Sequence, residues 1–107
     1  MIKNLSTKQI ISEKERICST YLSQIRGLMF RPKQNLLMIF KKPQKISLHN
    51  FFVFYPIDVL LLNEKREVVE IKQNFKPFTL WLSTKEGKYL VELAYPAKYK
   101  VGDVLTF

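Results

Sequence analysis

The chain has 107 residues, 47% hydrophobic and 13% aromatic, with a formal net charge of +9. That length specifies one domain, residues 1–107, and that apolar content fills a core, which excludes intrinsic disorder. A lone cysteine, Cys18, excludes an internal disulfide and any multi-cysteine metal site.

In chain order, Ile10–Cys18 reads as a first strand. Ser12-x-x-Glu15 has the form of a capping box, but a helix start at Ser19 or Thr20 is preferred. Tyr21, Leu22, Ile25 and Leu28 follow it at helical spacing. This gives one short helix near residues 20–27, ending at Gly27 as a left-handed stop. Arg31 precedes Pro32 and is pushed to extended geometry.

Strand signals dominate from there. Asn35–Phe40 and Ile46–Phe54 are apolar runs separated by Lys41-Lys42-Pro43. Pro56–Leu62 is the strongest strand, and Asn63–Arg66 turns it into Glu67–Lys72. Phe78–Ser83 and Lys88–Leu93 flank a turn at Gly87, and Val104–Phe107 closes the chain. In Lys88–Leu93, Tyr89, Val91 and Leu93 share one face, and Lys88, Leu90 and Glu92 the other. About seven strands at regular spacing specify a mainly β fold, a compact antiparallel sandwich or barrel with one short helix.

The charge is uneven. Residues 1–50 carry ten Lys/Arg against Glu13 and Glu15, whereas residues 51–107 carry eight against seven. The acid-free half, residues 16–57, offers Arg26, Arg31, Lys33, Lys41, Lys42 and Lys45 as phosphate contacts for a polyanion such as nucleic acid, or for a small anionic ligand. A merely basic surface is the plainer reading. The N-terminus has no apolar signal region. The longest apolar stretch, Phe51–Leu62, is broken by Pro56 and Asp58 and is too short to span a bilayer. A cytoplasmic protein with no transmembrane segment is expected.

Five motifs in order carry a family resemblance. They are Gly27-Leu28-Met29-Phe30-Arg31, Pro56-Ile57-Asp58-Val59-Leu60-Leu61-Leu62, Val68-Val69, Tyr89-Leu90-Val91-Glu92-Leu93 and Lys100-Val101-Gly102-Asp103-Val104. From about Cys18 to the C-terminus the chain resembles the domain-of-unknown-function family one hundred and ninety-two. The resemblance implies a small, mostly β domain and no established reaction. One departure stands out. Many bacterial members look like Phe-Trp-Met-x-Asn-Thr where this chain has Leu48-His49-Asn50-Phe51-Phe52-Val53.

Asp58 is the leading site candidate. It sits in a strand apolar on both faces, and a buried carboxylate needs a cation or backbone donors. Arg31 or Arg26 is the expected partner, either as a ligand-orienting pair or, more plainly, as a structural ion pair. His49, the only histidine, could join them as a base or ligand contact, though a partly buried histidine among aromatics is the simpler reading. Cys18 reads as a buried thiol, and Gly102-Asp103 as turn chemistry. Phe51-Phe52-Val53-Phe54-Tyr55, Phe78 and Trp81 could stack bases beside the lysines, but consecutive apolar residues usually mean burial.

There is no phosphate loop and no dinucleotide fingerprint, so no cofactor is expected, and no metal. The preferred reading is a non-enzymatic ligand- or partner-binding accessory domain with a cleft near Arg31, His49 and Asp58. Alternatives are a nucleic-acid-binding module on the basic half and a small enzyme with an Asp58/His49 acid–base pair. Unprotected edge strands leave a homodimer open.

Overall fold

The computed structural model describes residues 1–20, 29 and 31–107. Eight strands run along them: β1 (Ile2–Asn4), β2 (Gln9–Ser12), β3 (Glu15–Cys18), β4 (Asn35–His49), β5 (Ile57–Leu62), β6 (Val68–Phe75), β7 (Leu80–Leu93) and β8 (Leu105–Thr106). They form a three-stranded sheet ordered β2-β1-β8 and a five-stranded sheet ordered β3-β4-β7-β5-β6. The result is a sandwich-like β fold without a closed barrel. Every pairing is antiparallel except β3 with β4, which is parallel. The helix expected near residues 20–27 falls, beyond Thr20, outside the described residues.

The strand alternation of β5 organises the core. Ile57, Val59 and Leu61 pack on one face with Leu36, Met38, Phe40, Phe75 and Leu90. Leu60 and Leu62 pack on the other with Leu37, Val91 and Leu93, and with Ile2, Ile11 and Leu105 of the small sheet. Both faces of the large sheet are therefore covered. The small sheet covers one, and Ile46, Val53 and Trp81 pack over the other.

Two strands run longer than their sequence signals. Asn35–Phe40 and Ile46–Phe54 belong to one strand, β4, which ends at His49, and the basic stretch Lys41-Lys42-Pro43 lies inside it. Phe78–Ser83 and Lys88–Leu93 likewise fuse into β7. Bulges bend the β4–β7 pair between Ile39 and Gln44 and between Lys45 and Ser47. A bulge frees backbone groups that must find other partners. The Ser83 hydroxyl supplies two: it accepts from Ile46 N–H at 2.8 Å and donates to Lys85 C=O at 2.9 Å. The Lys88 ammonium donates to the carbonyls of Phe40 and Lys41. Glu70 of β6 accepts from the N–H groups of Thr84 and Lys85, both at 2.9 Å, and so ties the bent part of β7 to its neighbour.

Gly87 is thus not a turn residue. It is buried in β7, where a Cβ would lie 2.2 Å from Leu61 Cδ1 and 2.5 Å from Leu61 Cγ. Leu61 is fully buried and cannot swing aside freely. The first strand also divides: Ile10–Cys18 is interrupted at Glu13-Lys14, giving β2 to one sheet and β3 to the other. β1, too short for a periodic signal, brings Asn4 to Asp103. Asn4 Nδ2 donates to Asp103 Oδ2 at 2.8 Å, and the same oxygen accepts from Lys100 N–H at 2.9 Å. The turn chemistry expected at Gly102-Asp103 is realised there, with Gly102 at φ 97°.

Replacing Gly87 with Ala should lower unfolding free energy by about 1–3 kcal/mol, because the added methyl overpacks Leu61. Chemical denaturation of both proteins measures it, and an unchanged midpoint would mean that the core yields at Leu61.

Candidate functional site

The parallel β3–β4 edge holds the most developed cavity among those described. It is a cleft of about 640 Å³ lined by Lys14–Ile17, by Pro32–Asn35 and by Tyr95. A hydrogen-bond chain builds its floor. Asn35, buried at the start of β4, accepts from Ala94 N–H at 2.8 Å and donates to Ser12 Oγ at 2.9 Å. Ser12 Oγ in turn donates to Lys14 C=O at 3.1 Å. Two tyrosines fix the chain leading into β4: Tyr55 donates to Pro32 C=O at 3.2 Å and Tyr95 to Lys33 C=O at 3.1 Å. Arg16 Nε donates to Gln34 Oε1 at 3.2 Å, and Lys33 Nζ stands 4.8 Å from the centre of the Tyr95 ring. Lys14, Arg16 and Lys33 therefore face a single acid, Glu15. One oxygen of that carboxylate meets the Met1 amino group at 2.9 Å, and three cations against one acid leave the cleft cationic.

Behind this edge lies a carboxyl group that strand alternation places on the face of Lys88 and Leu90. Glu92 of β7 is 3% exposed and stands in register between Leu36 of β4 and Val59 of β5. Both neighbours belong to the core, and so does Leu90, two residues earlier on Glu92's own face. That pairing with Leu90 was the available signal. Burial lifts the Glu92 carboxyl from 4.5 to about 7. The Tyr55 hydroxyl is raised too, by its own burial first and by the charge of Glu92 second.

The sequence-predicted residues fall in separate places. Arg31 is half-buried, immediately before the Pro32–Asn35 lining of the cleft. Arg26 and Gly27 lie outside the described residues. Asp58 opens β5 and, among the described residues, is satisfied by Asn74 N–H at 2.9 Å and by the Tyr99 hydroxyl rather than by an arginine. Burial, then the bond to Asp58, hold the Tyr99 hydroxyl protonated well above its ordinary range. His49 ends β4, where Nδ1 accepts from Phe51 N–H at 3.3 Å and the ring stacks on Phe51. The register partner of His49 is Leu80, the first residue of β7; that of Asp58 is Leu93, the last. No hydrogen bond joins the two.

Among the basic residues, Lys33 lines the cleft, while Lys41, Lys42 and Lys45 lie farther along β4, the first of them some eight residues on, about 26 Å if extended. Cys18 is buried in the core, as expected. The aromatic run is a correction. Val53 is buried, but Phe51, Phe52 and Phe54 are exposed beyond the end of β4, as is Phe78, while Trp81 packs against the core.

A family model covers residues 3–105, that of DUF192, described as "Uncharacterized ACR". The chain belongs to this family. The match begins fifteen residues before the Cys18 start read from the motifs and takes in β1 and β2. A UPF0127 protein of Thermococcus sibiricus is 30% identical over 96 residues, covering 86% of this chain and 62% of its own length. One from Pyrococcus furiosus is 30% identical over 92 residues, covering 83% and 78%. The chain thus spans about three fifths of the first of these relatives. Among solved structures, a protein of unknown function from Novosphingobium aromaticivorans superposes with a TM-score of 0.77 at 19% identity, over 87% of this chain and 74% of that one. At that identity the likeness shows the family fold alone.

The raised Glu92 group makes stability depend on pH. Between 4.5 and about 7 the folded protein holds a proton that the unfolded chain has released. The stabilisation is therefore complete below 4.5 and fades as pH rises through about 7. Glu92→Gln should flatten that slope and, above neutrality, raise stability by up to about 3 kcal/mol. Thermal melts of both proteins across this range test it; parallel curves would mean that Glu92 stays ionised when folded.

Proposed function

We propose that this domain is a non-enzymatic binding module that takes a small anionic ligand in the β3–β4 cleft. The observation carrying this reading is the convergence of Lys14, Arg16 and Lys33 on one concave site where Glu15 is the only acid among the described residues. Gln34 and the Tyr95 hydroxyl add polar contacts at the same wall. Lys14 and Arg16 lie at the start of β3 and Lys33 just before β4, where the Asn35 hydrogen-bond chain holds the backbone in place. Arg31 directly precedes this lining.

The two groups first considered for acid–base chemistry are committed to separate networks, Asp58 to Tyr99 and Asn74, and His49 to Phe51. That supports binding over catalysis. A long polyanion is the second reading. It is favoured less because the lysines of β4 lie along the strand beyond the cleft rather than around it.

Inorganic phosphate, citrate and single-stranded RNA, titrated separately and followed by amide chemical shifts, distinguish these readings. A phosphate or carboxylate ligand should shift residues 14–17, 32–35 and 95, and the double variant Arg16→Gln, Lys33→Gln should weaken it about tenfold or more. Binding of RNA alone, with shifts along Lys41–Lys45 and a steep fall with salt, would replace the small-ligand reading by the polyanion one. No shift with any of the three would remove both.

A further inference from the structure

Beyond the cleft, the far end of β4 carries an exposed apolar tip. Phe52 and Phe78 hold φ of 56° and 60°. In this left-handed region a bulky side chain crowds its own backbone, and such strain persists where the surrounding structure imposes it, often at functional sites. Here the strained turns bring four phenylalanines together outside the core. The Phe51 and Phe78 rings stack at 6.4 Å, and Phe52 and Phe54 meet Phe78 edge-on at 5.8 and 6.2 Å. Their exposures are 37% for Phe51, 43% for Phe52, 66% for Phe54 and 54% for Phe78. Strand alternation in β7 turns Trp81 inward and adds Leu80 and Leu82, 67% and 69% exposed, to the same surface. His49 connects them: it is the register partner of Leu80 and stacks on Phe51 at 5.0 Å. A contiguous apolar surface of this kind marks an interaction site.

The surrounding charge narrows the partner. Segments 41–56 and 72–85, which carry the tip, contain six lysines and neither aspartate, glutamate nor arginine; the carboxylates set against them are Glu86, register partner of Lys45, and Glu70, which accepts from Thr84 and Lys85 N–H. The occupant must therefore accept aliphatic and aromatic side chains at its centre and present negative charge around them. A single-stranded nucleic acid meets the second demand, but its bases need open ring faces and polar readers. Phe51 already stacks on both His49 and Phe78. Asn50 spends its N–H on Thr79, its C=O on Phe78 and its Nδ2 on Phe75. The two most exposed residues, Leu80 and Leu82, cannot stack. An anionic bilayer meets both demands: Phe and Leu enter the headgroup–acyl boundary, and lysines extend to the phosphates.

We propose that the tip formed by His49–Phe54 and Phe78–Leu82 docks this protein on the surface of an anionic lipid membrane. The docking is peripheral, and the tip shares no residue with the lining of the β3–β4 cleft.

Co-sedimentation of the full chain with vesicles tests this, using equal parts phosphatidylcholine and phosphatidylserine against phosphatidylcholine alone. The protein should pellet with the mixed vesicles and stay in solution with the neutral ones. Phe54→Ser with Leu82→Ser should weaken binding at least about tenfold without loss of fold, since both side chains are exposed. Lys45→Gln and Lys76→Gln should each weaken it about fivefold, and they carry the test if the first pair fails to fold. Phe52→Asn should separate the two roles of that residue by raising the melting temperature while lowering vesicle binding. Failure to pellet with the mixed vesicles, or equal pelleting of the Phe54/Leu82 variant, overturns the proposal. So does single-stranded oligonucleotide binding in its place, or a dimer in light scattering that the tip variants abolish.

Discussion

Strand β5 can exist only as an interior strand, and the rest of the fold follows from that constraint. Ile57, Val59 and Leu61 point one way, Leu60 and Leu62 the other, and all five are 2% exposed or less. Each face needs its own covering layer. The N-terminal strands and β8 supply one, so both ends of the chain are drawn to the same side of the large sheet. The bent parts of β4 and β7 supply much of the other, and the bend requires the bulges and the close approach of Gly87 to Leu61. Burying five such side chains contributes roughly 1.5–3 kcal/mol each, enough to offset the local disruption of the ladder.

The bends are stable because polar side chains take over the broken backbone bonds. Ser83, Glu70 and Lys88 satisfy the β4–β7 bulges from three directions. Asn35 and Asn4 do the same where the two sheets approach each other. Among the described residues this leaves one buried side-chain atom without a hydrogen-bond partner, Glu15 Oε1, at the wall of the cleft. Glu92 is the other departure, a carboxyl set on a core face and held toward neutrality by burial. Both acids belong to the region where β3, β4 and β7 run side by side.

Period-2 alternation made β5, β6 and the second half of β7 readable, because each run was short, uninterrupted and bounded by turn residues. It failed at Lys41-Lys42-Pro43 and at Gly87, where polar or small residues inside a bent strand look like loops. Pro43 is tolerated because it falls within the register break between Ile39 and Gln44. Alternation also assigned Glu92 to a face correctly but could not show that this face is covered, which is a tertiary fact. Asp58 reads as a carboxylate needing a cation or backbone donors, and among the described residues it meets Tyr99 and Asn74, both remote in sequence. The aromatic run was misread because four apolar residues in a row carry the same signature in a core strand and in an exposed turn. In the structure the turn at Phe51-Phe52, with Phe52 at positive φ, separates them.

A sheet covered on both faces leaves function little room in its interior, so recognition is confined to edges and ends. The parallel β3–β4 edge is one such place, because its strands extend past the cover of the small sheet and open the cleft beside Asn35. The end of β4 and the start of β7 are another, because there Leu80 and Leu82 turn outward and stay exposed while Trp81 packs against the core. β4 joins the two places, opening at Asn35 and ending at His49. Its basic middle follows from the same geometry: lysines at the bulge can turn outward on both sides, where a flat strand would bury every second one. The bend thus determines where the charge of Lys41, Lys42 and Lys45 meets solvent.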